Sequence, residues 1–147
     1  MFLIAEIASA HAGDKNLFKN LIETAIKKDF TKIKIQIFSY SELVSIDALN
    51  QELLRDIEFS IEDWNELFSW LRSTLKKITK KVTLIAEPYG PESLKIAKES
   101  KLFSEYKVPT SDLSNLALVS LILKETNNLY LGTGGSNLDE IQKTIGF

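Results

Sequence analysis

Glu6, Lys34, Gln36, Lys107 and Asp112 lie in, or just beyond, short apolar β-branched runs of the chain. In α/β folds with parallel strands, the working face lies at the carboxyl ends of the strands. A lysine inside such a strand must be paired or must meet an anion, because burying an unpaired charge is costly. Lys34 and Lys107 therefore read in two ways. They are the walls of a site for an anionic, phosphorylated ligand, or they are structural ion pairs with Glu6 and Asp112. Thr110 and Ser111 add hydroxyl groups beside Lys107. The run Gly132-Thr133-Gly134-Gly135, set ahead of a helix start, offers backbone N–H groups to an anion. Taken alone it reads more readily as a tight βα turn than as a phosphate cradle. Glu6 and Asp112 would supply carboxylates for acid/base work. His11 reads as a site group or as a side chain that only organises its own loop. Glu87, ahead of Pro88, reads as a solvated loop residue.

These residues need elements to hold them. Apolar runs alternate with helical patterns. Phe2–Ile7 is a first strand, and Leu17, Leu21, Ile22, Ala25 and Ile26 mark one face of a helix. Residues 32–38 form a second strand, with Ile33, Ile35 and Ile37 on one face and Lys34 and Gln36 on the other. Strict alternation is unusual in a strand covered on both sides, so one face carries polar groups with work to do. A longer connection over 39–59 contains a short helix at Gln51–Ile57. Ser60 and Asp63 form a capping box for a helix whose buried face is Trp64, Leu67, Phe68, Leu71, Leu75 and Ile78. Trp70 reads as packing or surface cover on the same helix. Further strands are predicted at Val82–Ala86, Tyr106–Val108 and Leu129–Leu131, and further helices after Pro91, over Asn115–Glu125 and after Asn137. Leu138, Ile141 and Ile145 are the apolar positions of the last helix. Five βα units in a row place the chain in the α/β class with a parallel sheet. Pattern alone leaves an open doubly wound sheet and a barrel sector both available. The first βα turn lacks the glycine fingerprint of dinucleotide-binding folds.

The chain has 147 residues, a formal charge of -2, no Cys and one His. It is long enough for one domain with a real core. It falls well short of the roughly 250 residues of a closed (β/α)8 barrel. The absence of Cys excludes a disulfide framework and thiolate zinc sites. A single His excludes a site needing two imidazoles from this chain. Near-neutral charge gives no reason to expect a nucleic-acid surface. No Lys or Arg precedes the first apolar run and Glu6 interrupts it, unlike a secretory signal. No apolar run reaches about 18 residues, so no membrane helix is expected and the expected location is cytoplasmic.

Four segments resemble those of the sialic acid synthase family. Ala5-Glu6-Ile7 with His11-Ala12-Gly13-Asp14 is similar to that family's AEIGxNHNGD. Lys34-Ile35-Gln36-Ile37-Phe38, then Glu42-Leu43-Val44-Ser45, is similar to VKFQTF and DLVS. The run from Tyr106 to Asn115 is similar to FKIASGDLTN. Leu131-Gly132-Thr133-Gly134-Gly135 with Leu138-Asp139-Glu140-Ile141 is similar to LSTGMATLEEI. The four are collinear and fall at strand ends.

The resemblance implies a partial (β/α)8 TIM barrel of about five βα units, with residues 1–147 as its N-terminal portion. It implies condensation of phosphoenolpyruvate with an N-acyl amino sugar such as N-acetylmannosamine. The product would be a nine-carbon 2-keto sugar acid, with phosphate released. Mn2+ or Mg2+ is the implied cofactor, with ligands on later strands that this chain does not contain. By motif position, Lys34 and Lys107 would hold phosphate and carboxylate, and Thr110 would donate a hydrogen bond to the anion. Glu6 would be the catalytic base or water-orienting group. Gln36, Asp112 and Thr133 would line the pocket, and His11 would organise the loop near Glu6.

The chain also departs from the family. Ala8, Ala10 and Ala12 replace Gly, Asn and Asn of the first motif. Glu87 stands at a phosphate-binding Thr, and Gly132 at a Ser. The 39–59 connection is short, and the later βα units and the C-terminal antifreeze-like domain are absent. The expectation is a diverged barrel portion, inactive alone, with homodimer formation left open. The other readings are a non-catalytic half-barrel that binds an anion or oligomerises, and another phosphoenolpyruvate-dependent 2-keto-3-deoxy acid synthase.

Overall fold

The computed structural model describes residues 3–43 and 51–146. Phe2 and the Val44-Ser45 end of the second motif lie outside the described residues. The order is β1 (Ile4–Glu6), α1 (Lys15–Lys27), β2 (Lys32–Ile37), α2 (Tyr40–Leu43), α3 (Gln51–Ile57), α4 (Ile61–Lys76), β3 (Thr83–Pro88), α5 (Pro91–Ser100), β4 (Phe103–Val108), α6 (Leu116–Leu123), β5 (Leu129–Leu131) and α7 (Leu138–Ile145). A 3-10 turn at Thr110–Asp112 follows β4.

All five strands are parallel and their spatial order is β1-β2-β3-β4-β5. This decides between the two closures that pattern left open. A doubly wound sheet reverses direction at a switch point, which places non-consecutive strands side by side. Here every neighbour is consecutive, as in a (β/α)8 barrel wound one way. The molecule is a five-strand sector of such a barrel.

The outer face of the sheet carries the core. Ile33, Ile35 and Ile37 of β2, Leu84 and Ala86 of β3, and Tyr106 and Val108 of β4 pack with Phe18 and Ile22 of α1, Trp64, Leu67, Phe68 and Leu71 of α4, Leu94 and Ala97 of α5 and Ile122 of α6. Phe18 rather than Leu17 turns inward on α1, because the helix begins at Lys15 and the buried stripe runs 18, 22, 25, 26. On α7 the expected apolar face is not buried. Leu138 and Ile145 are exposed, and Thr144 is the buried position, its hydroxyl donating to the Leu113 carbonyl at 2.9 Å.

One irregularity sets the inner face. Leu84 pairs with Phe103, but Ile85 pairs with Glu105 and Ala86 with Tyr106. Ser104 is therefore an extra residue in β4, a bulge. A one-residue shift moves every later side chain to the opposite face of a strand. Phe103 packs against the core, and so, three residues on, does Tyr106. Glu105 and Lys107 consequently point to the inner face, Glu105 beside Lys32 and Lys107 beside Glu87.

Candidate anion-binding site

The site starts with the alternation in β2. Lys32, Lys34 and Gln36 face inward because Ile33, Ile35 and Ile37 are committed to the core. Register then brings Glu6 opposite Lys34 and Glu87 opposite Gln36. The bulge adds Lys107. The result is a row of alternating charge across four adjacent strands. Lys34 Nζ lies 2.6 Å from Glu6 Oε2 and also pairs with Glu87. Glu87 in turn pairs through its other oxygen with Lys107. Gln36 Nε2 donates to Glu87 Oε2 at 3.1 Å and to the Tyr89 hydroxyl at 2.6 Å. Ser9 Oγ lies 3.4 Å from Gln36 Oε1, and the Ala8 N–H donates to Glu6 Oε1 at 3.1 Å. A cleft of about 280 Å³ opens over this row, lined by Glu6, Lys34, Lys107, Ile85, Tyr130 and Leu131 among others.

Burial orders the row electrostatically. Glu87 is 1% exposed and Lys34 4% exposed, whereas the Glu6 side chain is half-exposed. Burial pulls the Lys34 ammonium below its ordinary range, and the Glu6 carboxylate opposes that pull. Burial lowers Lys107 in the same way, again opposed by Glu6. The Tyr89 hydroxyl is pushed up to about 12 by burial, helped by the charges of Glu6 and Asp112, so it stays protonated at neutral pH. A second cluster sits two residues nearer the amino ends of the strands. There Lys32 pairs with Glu105 at 2.7 Å, and the Tyr130 hydroxyl donates to Glu105 at 2.7 Å.

Two expectations are corrected. Glu87 is not a solvated loop residue, because β3 continues through Pro88 and holds Glu87 inside the sheet, among two lysines and a glutamine. Lys107 pairs with Glu87 rather than with Asp112. Asp112 lies in the turn beyond β4, where its carboxylate accepts from Ser111 Oγ at 2.8 Å and Asn115 Nδ2 at 3.1 Å.

Glu6, Lys34, Gln36 and Lys107 are thus brought together, while Thr110 and Thr133 are exposed at the rim. His11 is buried behind the first loop. Its Nδ1 accepts the Gly13 N–H at 3.1 Å, and its ring stacks on Phe59 at 4.3 Å. That is the geometry of a loop organiser. Burial lowers its pKa from 6.5. The loop itself is strained. Ala8 and Ala12 hold φ of 45° and 47°, the left-handed region where a Cβ is unfavourable, at two positions where the resembling family has Gly and Asn. Gly13, at φ 77°, has no such cost, and a Cβ there would also meet the Asp56 carbonyl at 2.5 Å.

The glycine run after β5 is a turn built by close approach. A Cβ on Gly132 would lie 2.6 Å from Thr110 Oγ1 and 2.7 Å from Thr110 N. Thr110 fills the space a larger residue at 132 would need. Sequence reasoning placed Glu87 at an anion-binding position but expected it to be solvated, and it gave no role to Tyr89 or Ser9. The period of β3 carried a signal for Glu87, since Thr83, Ile85 and Glu87 alternate with Leu84 and Ala86. Among the described residues, no group of three or more His, Cys, Asp or Glu is placed to hold a metal ion.

Fold and site together define a sector of a (β/α)8 barrel in which charged groups gather on the inner face of consecutive strands. The model of the NeuB family matches residues 21–147, and the chain belongs to that family. Among curated proteins it is 25% identical to the N,N'-diacetyllegionaminic acid synthase of Campylobacter jejuni, over 97% of this chain and 45% of that protein. It is 26% identical to the Methanocaldococcus jannaschii protein MJ1065, over 98% of this chain and 41% of that protein. The chain spans less than half the length of these relatives. Among solved structures, the N-acetylneuraminic acid synthetase of Leptospira borgpetersenii, in complex with citrate, superposes with a TM-score of 0.84 at 24% identity, covering 99% of this chain and 48% of that one. These findings support a sialic acid-type synthase family and the barrel fold. No described helix is long and apolar enough to cross a membrane.

Proposed function

We propose that this chain supplies the first five βα units of a barrel that condenses phosphoenolpyruvate with an N-acyl amino sugar. The single observation that carries this reading is the convergence of Lys34 and Lys107 on one point of the inner face, at Glu87. Two ammonium groups so placed match a reactant bearing both phosphate and carboxylate. Membership of the NeuB family supports the same chemistry.

In this reading carbon 3 of phosphoenolpyruvate forms a bond to the sugar aldehyde carbon. Water adds at carbon 2, and the C–O bond to phosphate is lost with release of inorganic phosphate. Lys34 and Lys107 hold the anion, and Gln36 and Tyr89 fix the rim of the pocket. Glu6 is half-exposed beside Lys34 and lines the cleft. It is the group placed to orient the water or take its proton. Thr110, Asp112 and Thr133 complete the rim, and His11 keeps the first loop in shape.

The test is steady-state kinetics on the protein expressed from its complete reading frame, with phosphoenolpyruvate and N-acetylmannosamine. Lys107→Ala should raise KM for phosphoenolpyruvate by about tenfold, the loss of one charge-assisted contact. Glu6→Gln should lower kcat with KM little changed. An unchanged KM in Lys107→Ala rejects the anion-binding role.

The second reading, a non-catalytic half-barrel whose charge row is structural, is favoured by one observation. The row Glu6, Lys34, Glu87, Lys107 carries no net charge. Neither phosphoenolpyruvate binding nor phosphate release by the complete protein would favour it over the first.

A further inference from the structure

We propose that Glu87 is a built-in occupant of the anion position, so that an anionic ligand enters only by exchanging with its carboxylate. This rests on the reading that Lys34 and Lys107 face the anionic reactant. The two oxygens of Glu87 are divided between the two lysines, Oε2 to Lys34 and Oε1 to Lys107. One carboxylate thus spans the two ammonium groups as a bound phosphate or carboxylate would. Gln36 Nε2 donates to the same carboxylate at 3.1 Å, completing a donor set of three groups around it. Glu87 is held on β3 with its side chain 1% exposed, so solvent screens the pairing little.

A second anion-receptive position, at the amino end of α5, is filled from within as well. Glu42 accepts the backbone N–H groups of Glu92 at 2.7 Å and Ser93 at 3.2 Å, at the amino end of α5. Gly90 leaves room for it, since a Cβ there would meet the Glu42 side chain. These two positions therefore hold the chain's own carboxylates. For the lysine pair the consequence is a competition. A ligand anion gains two ammonium contacts only after Glu87 gives them up, and a displaced, buried carboxylate without partners is costly.

The experiment is calorimetric titration of the chain with inorganic phosphate and with phosphoenolpyruvate. Wild type, Glu87→Gln and Glu87→Thr are compared, with circular dichroism confirming the fold. Gln keeps the shape of the side chain and Thr leaves more space, so one reports where the other fails to fold. Both substitutions should tighten binding of phosphoenolpyruvate by about tenfold or more, the value of freeing a charge-assisted hydrogen-bonding partner. Adding Lys107→Ala to Glu87→Gln should remove the gain. Folded variants that bind no tighter than wild type, or that do not bind at all, overturn the proposal. Tight wild-type binding that depends on Lys107 overturns it too, while leaving the anion site in place. A gain that survives Lys107→Ala puts the anion elsewhere, and then the lysine-pair reading is what fails.

Discussion

At the scale of single residues, His11 shows how one side chain is committed by its surroundings. Its ring is buried against Phe59 and Phe18, and its Nδ1 must be unprotonated to accept the Gly13 N–H. Burial lowers its pKa in the folded chain below 6.5. In the unfolded chain His11 takes up a proton as pH falls through that value, whereas the folded chain resists. The unfolded state then binds more protons, so stability declines on acidification through about 6.5 and levels off once pH passes below the folded pKa. Urea denaturation between pH 7 and pH 5 should show this decline in wild type. His11→Gln should be less stable at pH 7 and flat across the window. A flat wild-type profile would contradict the burial of the ring. The residue was legible as a motif position. Its loop role was one of the readings open in the sequence, but its packing was not legible, because Phe59 lies 48 positions away and only folding brings the rings together.

At the scale of elements, strand ends and turns decide which residues reach the site. The turn after β5 lies against the turn after β4, with Gly132 in contact with Thr110. Gly132→Ser, the residue of the resembling family, should cost about 1–3 kcal/mol through overpacking. A thermal or urea melt checks this. Thr110→Ala in the same chain should recover only part of the loss, because Thr110 N and Cα, at 2.7 and 2.9 Å from the added Cβ, remain. Full recovery would mean that the methyl and hydroxyl were the whole obstacle. Helix boundaries were readable from caps. Ser60 with Asp63, and Asn137 with Glu140, form the reciprocal boxes that the sequence pattern predicts. The buried faces were less so. Leu138 and Ile145 have the spacing of a core stripe and yet are exposed, because periodicity marks a face without saying what lies opposite it.

At the scale of the whole molecule, one charge row ties four strands together. Lys34 touches acids on both neighbouring strands, and Glu87 does the same for lysines. Lys34→Met leaves the buried Glu87 with Lys107 as its remaining cation. The loss should be about 3–5 kcal/mol, as for breaking a buried pair by removing one partner. Combining it with Glu87→Gln should cost much less than the sum of the two single changes, since the stranded charge is then gone. Urea melts of the four proteins measure the coupling. Additive costs would show that the two side chains do not share a buried contact.

The sequence by itself determined the alternation of strands and helices, the shared polar face of Lys34 and Gln36, and the family, since local periodicity and collinear motifs are written along the chain. Tertiary structure decided three further things that periodicity had left open. Consecutive strand order chose the barrel sector over the doubly wound sheet. The extra residue at Ser104 turned Lys107 toward Lys34. Close packing of β3 between β2 and β4 made Glu87 the centre of the site instead of a loop residue. Each depends on which strand lies beside which and in what register. Such pairings join residues far apart in the chain, and no local pattern encodes them.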